Sequence, residues 1–352
     1  MLNEYQTEED KSRHFIIAEK IVTQEQVDQL IESFSFYDGG IWRGICESKY
    51  QHYTSLQRYW IGHDLPKKAE SVLQYIHHIV NYTRHWNGRC LEKLHRIRGQ
   101  ETISIYSALS MLRHHGSPTP ILDWSVNPLI SLYFAAASVK NYPIKAEIDN
   151  YFSLYYMPSD HAFLEKTVCG DKNSYEKMAA NFREYRVVFD TFIKHARTIE
   201  EVETQAKKLE IFQKVTGSAE GFRDYMLSDE NFFANAKKRA AWIITDAPGS
   251  FVQWSINNNY NIVNQEGLFI VNAHPNDPFE EILSSQGSDK LYCYEFHKSL
   301  QHYILNRLLD FGIHNDFIYP NLYRLAENSL TSYFELRESE VPEFFEPFSF
   351  NF

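Results

Sequence analysis

Five residues of this chain have types and settings that can do chemistry or hold a ligand. Arg43 closes an apolar run, Ile41-Trp42-Arg43-Gly44. A guanidinium there can fork onto a phosphate or carboxylate while Gly44 lets a ligand approach the backbone. Equally, Arg43 can bridge a buried acid such as Asp123. Arg58, following Ser55-Leu56-Gln57, offers a second guanidinium to the same anion or a surface charge. His114 stands just before Gly116, where an imidazole caps helix carbonyls or hydrogen-bonds a ribose hydroxyl. Asp123 lies between Leu122 and Trp124, and an acid in apolar surroundings is either paired with an arginine or held protonated. With His114 it also makes a candidate acid–base pair of the nuclease kind. Trp124 fills the core or stacks on a flat base or nicotinamide ring.

Other chemistries are not written here. The sequence has no GxGxxG after a strand, no GxxxxGK[ST], no GxSxG and no HExxH. His114, His115 and Asp123 come nearest to a metal cluster, but adjacent helical histidines point about 100° apart and cannot share one ion. No metal is expected.

These residues need elements to hold them. Two prolines in Gly116-Ser117-Pro118-Thr119-Pro120-Ile121-Leu122-Asp123-Trp124 forbid a helix and predict a rigid loop presenting Asp123 and Trp124. Asn127 then sits at a helix N-cap with Pro128 at the first helical position, and 128–137 is apolar nearly all round, which predicts a buried central helix. Helices are also expected over about 66–86, 103–115 and 298–311. Strands are expected at 41–44, 151–157, 241–245, 267–272 and 291–296. Thr23 and Gln26 have capping-box spacing ahead of Val27, Leu30 and Ile31, so residues 1–38 are expected to be a helical lead-in that caps the periphery. A second capping box, Thr198 with Glu201, lies in a charged stretch at about 140–240 that has the character of a helical insertion. Mixed order of strands and helices predicts an α+β fold with a mixed, split β-sheet. One domain is expected over 39–330, with 331–352 as a C-terminal tail.

Composition bounds the function classes. The 352 residues are 43% hydrophobic and 23% charged, an ordinary globular balance, with 23 Tyr, 25 Phe and 6 Trp, rings that suit a ligand groove as well as a core. Thirty-five basic against 46 acidic residues give a net charge of -11, the wrong sign for binding duplex nucleic acid. The basic run Lys93, His95, Arg96 and Arg98 has the spacing of a solvated helix face. Cys46, Cys90, Cys169 and Cys293 never form a close pair, no basic and apolar leader opens the chain, and no apolar run reaches a membrane span. A cytoplasmic protein without membrane contact is expected.

Several motifs together resemble the FRG domain family, named for a Phe-Arg-Gly signature. Trp42-Arg43-Gly44 stands for that signature, and Ser55-Leu56-Gln57-Arg58 for the Ser-Leu-x-Arg that follows it. His114 through Ser125 resembles the family's His-Tyr-Gly-Leu-Pro-Thr-Arg-Leu-Leu-Asp-Trp-Thr, with Thr119, Asn127-Pro128 and Phe134-Ala135 in the same frame. Gln265-Glu266-Gly267-Leu268-Phe269 resembles its Gln-x-Gly-x-Phe element, and Gly312-Ile313 with Ile318-Tyr319-Pro320-Asn321-Leu322 its closing motif. Pro120 replaces the usual arginine after Pro-Thr, and Ile45 the glutamine after Arg-Gly.

The resemblance implies a bacterial setting of mobile elements and anti-phage defence. The arrangement is also similar to that of ADP-ribosyltransferases. By that likeness Arg43 and Arg58 hold the NAD pyrophosphate, Trp124 or Tyr133 the nicotinamide, and Asp123, Glu266 or Asp316 supplies the carboxylate, with Gly44, Thr119, Asn127 and Gln265 lining the site. The expected function is then an NAD-consuming, toxin-like transferase acting on an intracellular macromolecule. A non-catalytic module that senses a nucleotide or another anion is the alternative, and a nuclease-like toxin a third.

Overall fold

The computed structural model describes residues 2–34, 40–66, 68–97, 103–140, 144–159, 161, 229–238, 241–244 and 260–320. The chain first forms α1 (Glu8–Ser12), β1 (Phe15–Ile21), α2 (Gln24–Ser33) and β2 (Ile41–Ile45). There follow α3 (Ser55–Gly62), α4 (Ala69–His85), α5 (Cys90–Ile97), α6 (Ile105–His114), β3 (Ile121–Ser125), α7 (Pro128–Ala137) and β4 (Tyr151–Met157). The last described elements are α8 (Asp229–Lys238), β5 (Ala241–Ile244), α9 (Tyr260–Asn264), β6 (Gly267–Asn272), α10 (Phe279–Ser285), β7 (Leu291–His297), α11 (Gln301–Asp310) and α12 (Asn315–Ile318).

The strands form a mixed sheet in the order β1-β7-β4-β2-β3-β6-β5, with β1 and β7 parallel and the other neighbours antiparallel. Its middle is a seam. While β2 pairs along its length with β4, and β3 with β6, only Trp42 and Ser125 pair between β2 and β3. The architecture is the expected α+β.

One face of the sheet is covered by the N-terminal segment and α10, where Tyr5, Phe15, Phe279 and Ile282 pack on Leu122, Trp124, Tyr155 and Ile270. The other face divides at the seam. The β2 side carries α2, α7 and α11 against Trp42, Phe152, Leu154 and Phe296. The β3 side carries α3, α4, α6 and α8 against Ile121, Phe269 and Val271. The two helix groups leave a notch over the seam, where Asp123 of the inner strand β3 keeps a partly exposed side chain.

Local chemistry accounts for the elements that frame this notch. Asn127 caps α7 through its side chain, accepting from the Leu129 and Ile130 amides, with Pro128 at the first turn. Helix α7 packs directly on β2 because Gly44 has no side chain: a Cβ there would lie 1.9 Å from the Ser131 carbonyl oxygen and 2.7 Å from the Ala135 nitrogen. Thr54 and Gln57 form a capping box at α3, and Gln57 then spends its amide on the carbonyls of His274 and Asp277.

Three expectations need correction. Asp123 and Trp124 sit in strand β3, not in a loop, because the prolines leave the chain extended and β6 pairs with it from Ile121 onward. Residues 1–38 are no peripheral cap. Although the Thr23–Gln26 capping box forms, the same stretch supplies β1, and Lys11 is 0% exposed, its ammonium bonded to Ser48, Ser153 and Glu295. Residues 151–157, at the start of the expected insertion, are a fully buried inner strand of the sheet. The Thr198–Glu201 box and the 331–352 tail lie outside the described residues. Among those described, no helix is long and apolar enough to cross a membrane.

Candidate anion site at the sheet seam

The notch gathers three guanidinium groups around one carboxylate. Asp123 projects from β3, and Arg113, in the last turn of α6, grips both its oxygens, with Nε at 3.1 and 3.0 Å from Oδ1 and Oδ2. A second bond runs from Arg113 Nη2 to Oδ2, so the pair is a fork. Burial alone raises the Asp123 carboxyl, but the charge and hydrogen bonds of Arg113, then the charges of Arg43 and His114, outweigh it and hold the group below the usual carboxylate range. Asp123 raises Arg113 in return.

Arg43 enters from the other side of the seam. By strand alternation Arg43 leaves β2 on the face of its register partner Tyr155, yet its Nη1 donates to the backbone carbonyl of Asp123. That carbonyl lies on the edge of β3 where pairing with β2 lapses, so a side chain replaces a ladder bond. Burial presses the Arg43 guanidinium down to about 10, against the pull of Asp123 and with the repulsion of Arg58 and Arg113. Its Nε is buried and has no partner.

Arg58 stands on the exposed face of α3. Its guanidinium makes no hydrogen bond or ion pair among the described residues. The protein around it lowers its pKa, and the charge of Arg113 lowers it further. An unpaired arginine beside a second arginine is an arrangement that an anion stabilises.

The remaining expected residues fall into distinct places. His114 is within the field of Asp123 and Arg113, its ring 6.1 Å from Phe269; burial lowers its pKa and Asp123 opposes that shift. Trp124 is in the core, 2% exposed, parallel to His52 at 6.2 Å and edge-on to Phe279. As a residue of β3 it points away from Asp123 and the notch. Gly44 makes its close approach to α7 rather than to open space. Thr119 is buried, and its backbone joins the 116–120 loop to Ser55 and Leu56 of α3. Asn127 caps α7 and donates to Glu266 at 3.0 Å, which leaves Glu266 exposed at the helix start. Gln265 is a buried brace, donating to the Ile318 carbonyl at 3.1 Å.

Two aromatic groups border the arginines. Tyr319, 44% exposed, lies edge-on to Phe134 of α7 at 6.3 Å, and its hydroxyl pKa is raised by burial and then by the charges of Tyr133 and Asp123. Tyr133 is raised by burial and then by Asp316. The sequence reading missed Arg113 as the partner of Asp123 and Tyr319 as a rim residue. Arg113 carried a signal: it stands in the last turn of the helix that precedes the Asp123 segment and is the arginine nearest to that acid in the sequence.

Among the described residues no group of three or more His, Cys, Asp or Glu is placed to hold a metal ion. Arg96 on α5 faces Glu92 at 3.6 Å, one turn away, as on an ordinary solvated helix face.

Residues 39–142 match the family model of the FRG domain, so this stretch, which contains Arg43, Arg58, Arg113, Asp123 and Tyr133, is an FRG domain. No curated protein and no solved structure matches the chain.

Proposed function

We propose that the chain binds a small phosphate-bearing, nucleotide-like molecule in the notch, with Arg58 and Arg113 on the phosphate and Arg43 behind them. The observation that carries this is Arg58, which is paired with no acid among the described residues and is repelled by Arg113. Tyr319 supplies a partly exposed ring for a flat base, the part expected of Trp124 or Tyr133 from the sequence. NAD is the candidate ligand, since it joins a pyrophosphate to two flat rings.

A transferase reading has one observation in its favour. Asp316, an exposed residue of α12, raises the pKa of Tyr133 on α7, which favours a carboxylate on the tyrosine side of the notch. It is a candidate for steadying the ribosyl centre as nicotinamide leaves and a macromolecular acceptor attacks. Asp123 is the weaker candidate, because both its oxygens are held by Arg113. The same engagement argues against a His114–Asp123 nuclease pair.

Calorimetry with NAD, ADP-ribose and inorganic pyrophosphate tests the binding. Wild-type protein should bind, and Arg58→Ala should weaken binding about tenfold or more, as expected for losing one charge-assisted contact. Failure of all three probes at millimolar concentration would remove the anion site and leave an interaction module held together by Arg43 and Arg113. Release of nicotinamide from labelled NAD then separates a transferase from a sensor.

A further inference from the structure

Beneath the seam, on the face opposite the notch, lies a buried imidazole outside the anion site. His52 is 0% exposed. Its backbone is clamped to the start of α10, the N–H donating to both Glu280 carboxylate oxygens at 3.2 Å and the carbonyl accepting from the Phe279 amide. Its Nδ1 lies 3.1 Å from Glu280 Oε2, and Tyr5 donates to the other oxygen at 2.6 Å. Burial raises the Glu280 carboxyl, but His52 and Tyr5 outweigh it and keep the group ionised; burial also lowers His52, more than Glu280 raises it. A neutral imidazole beside a carboxylate carries its proton on the facing nitrogen, so Nδ1 donates and Nε2 is left as an acceptor.

That acceptor has no partner, and Tyr155, whose ring the imidazole meets, is also the strand neighbour of an arginine with an unpartnered donor. The His52 ring lies parallel to Trp124 of β3 and, at 4.4 Å, edge-on to Tyr155 of β4, so it touches both halves of the split sheet. Tyr155 is the cross-strand neighbour of Arg43, and the charge of Arg43 is felt at His52. Nε of Arg43 is a buried donor without a partner, and His52 Nε2 a buried atom without one. Buried polar groups are seldom left unpaired.

We infer that His52 is a positioning residue for Arg43: its Nε2 accepts, through one bridging water, the hydrogen bond that the Arg43 Nε–H donates, and so fixes the plane of the guanidinium that crosses the seam into the anion site. The Glu280 carboxylate is the source of this arrangement, since it decides which imidazole nitrogen is free. With Nη1 committed to the Asp123 carbonyl and Nε to His52, Arg43 keeps its second amino group for a ligand. This assignment rests on the anion-site reading for its consequence, but not for its geometry. The charged and titratable groups around His52 are Glu280 on α10, Tyr5 and Lys11 of the N-terminal segment, Arg43 on β2 and Tyr155 on β4.

The test has two independent arms. In the first, nitrogen-15 NMR of the full chain at pH 7 should find neutral His52 protonated at Nδ1, and an Arg43 Nε–H signal protected from exchange in wild type and shifted in His52→Phe. A proton on Nε2, or an Arg43 signal indifferent to His52→Phe, overturns the assignment whether or not any anion binds. In the second, the pair His52→Phe and Glu280→Gln is combined so that no buried carboxylate is stranded. Once thermal melting shows this double variant folded, it should bind inorganic pyrophosphate about tenfold more weakly than wild type, the loss expected when one hydrogen bond orienting a charged group is removed. His52→Gln, whose amide can still meet Glu280 and accept from Arg43, should recover part of it. Wild-type affinity in the folded double variant refutes the positioning role, whereas absence of pyrophosphate binding by wild type refutes the anion site and leaves the NMR arm to decide His52.

Discussion

Asp123→Asn separates the roles this acid can have. In the wild type its carboxylate is forked by Arg113 and offsets part of the repulsion among Arg43, Arg58 and Arg113. Breaking a wholly buried ion pair costs about 3–5 kcal/mol. Here the two side chains are 29% and 32% exposed, so water screens the stranded arginine and about 2 kcal/mol is expected. At about 2–4 °C per kcal/mol for domains of 150–250 residues, melting should fall by about 4–8 °C at pH 7. The folded-state pKa of Asp123 lies below the ordinary value of about 3.9, so its contribution is present above that pH and is lost as pH falls through the folded pKa. The gap between wild type and variant should therefore close on acidification below about pH 4. Binding moves the other way. Removing one negative charge from a cluster of guanidinium groups should tighten pyrophosphate binding, whereas a catalytic Asp123 predicts normal melting with lost turnover. A variant that melts as wild type and binds pyrophosphate no more tightly refutes the charge reasoning.

Other expectations follow from the same contacts. Gly44→Ala drives a Cβ into the backbone of α7, and backbone cannot step aside as a side chain can, so a loss of about 3 kcal/mol is expected in denaturant titration; a neutral result would mean that α7 stands off β2. Trp124→Phe should lower stability by about 1–2 kcal/mol and leave the ratio of NAD to pyrophosphate affinity unchanged. Tyr319→Ala should reduce that ratio, by about 1–3 kcal/mol if a base stacks there, with calorimetry on both ligands as the check. Lys11→Met strands the buried Glu295 and should cost about 3–5 kcal/mol, most of which Lys11→Met with Glu295→Gln should restore; equal melting of the single and double variants would show that the ion pair contributes nothing.

Local chemistry was legible from the residues alone. The cap of α7 by Asn127 and Pro128, the Thr23–Gln26 box and the strands at 41–44, 151–157, 267–272 and 291–296 depend on side chains that act on backbone within a few positions, or on apolar runs that cannot stay in water. Motif spacing likewise marked Arg43, Arg58, His114 and Asp123 as candidates. What each of them touches was not legible. Strand alternation is the same for every β-strand, but which neighbour pairs with it, and where pairing stops, is set by contacts between segments far apart in the chain. That decided the lapse between β2 and β3, through which Arg43 reaches the Asp123 carbonyl, and turned Trp124 into the core. Long-range packing also built the lead-in into the sheet as β1, because Lys11, charged and polar in sequence, finds Ser48, Ser153 and Glu295 at the bottom of the fold. Hydrogen bonds between residues hundreds of positions apart, such as His52 to Glu280, leave no periodicity or spacing to read, since their geometry exists only once the chain has closed around them.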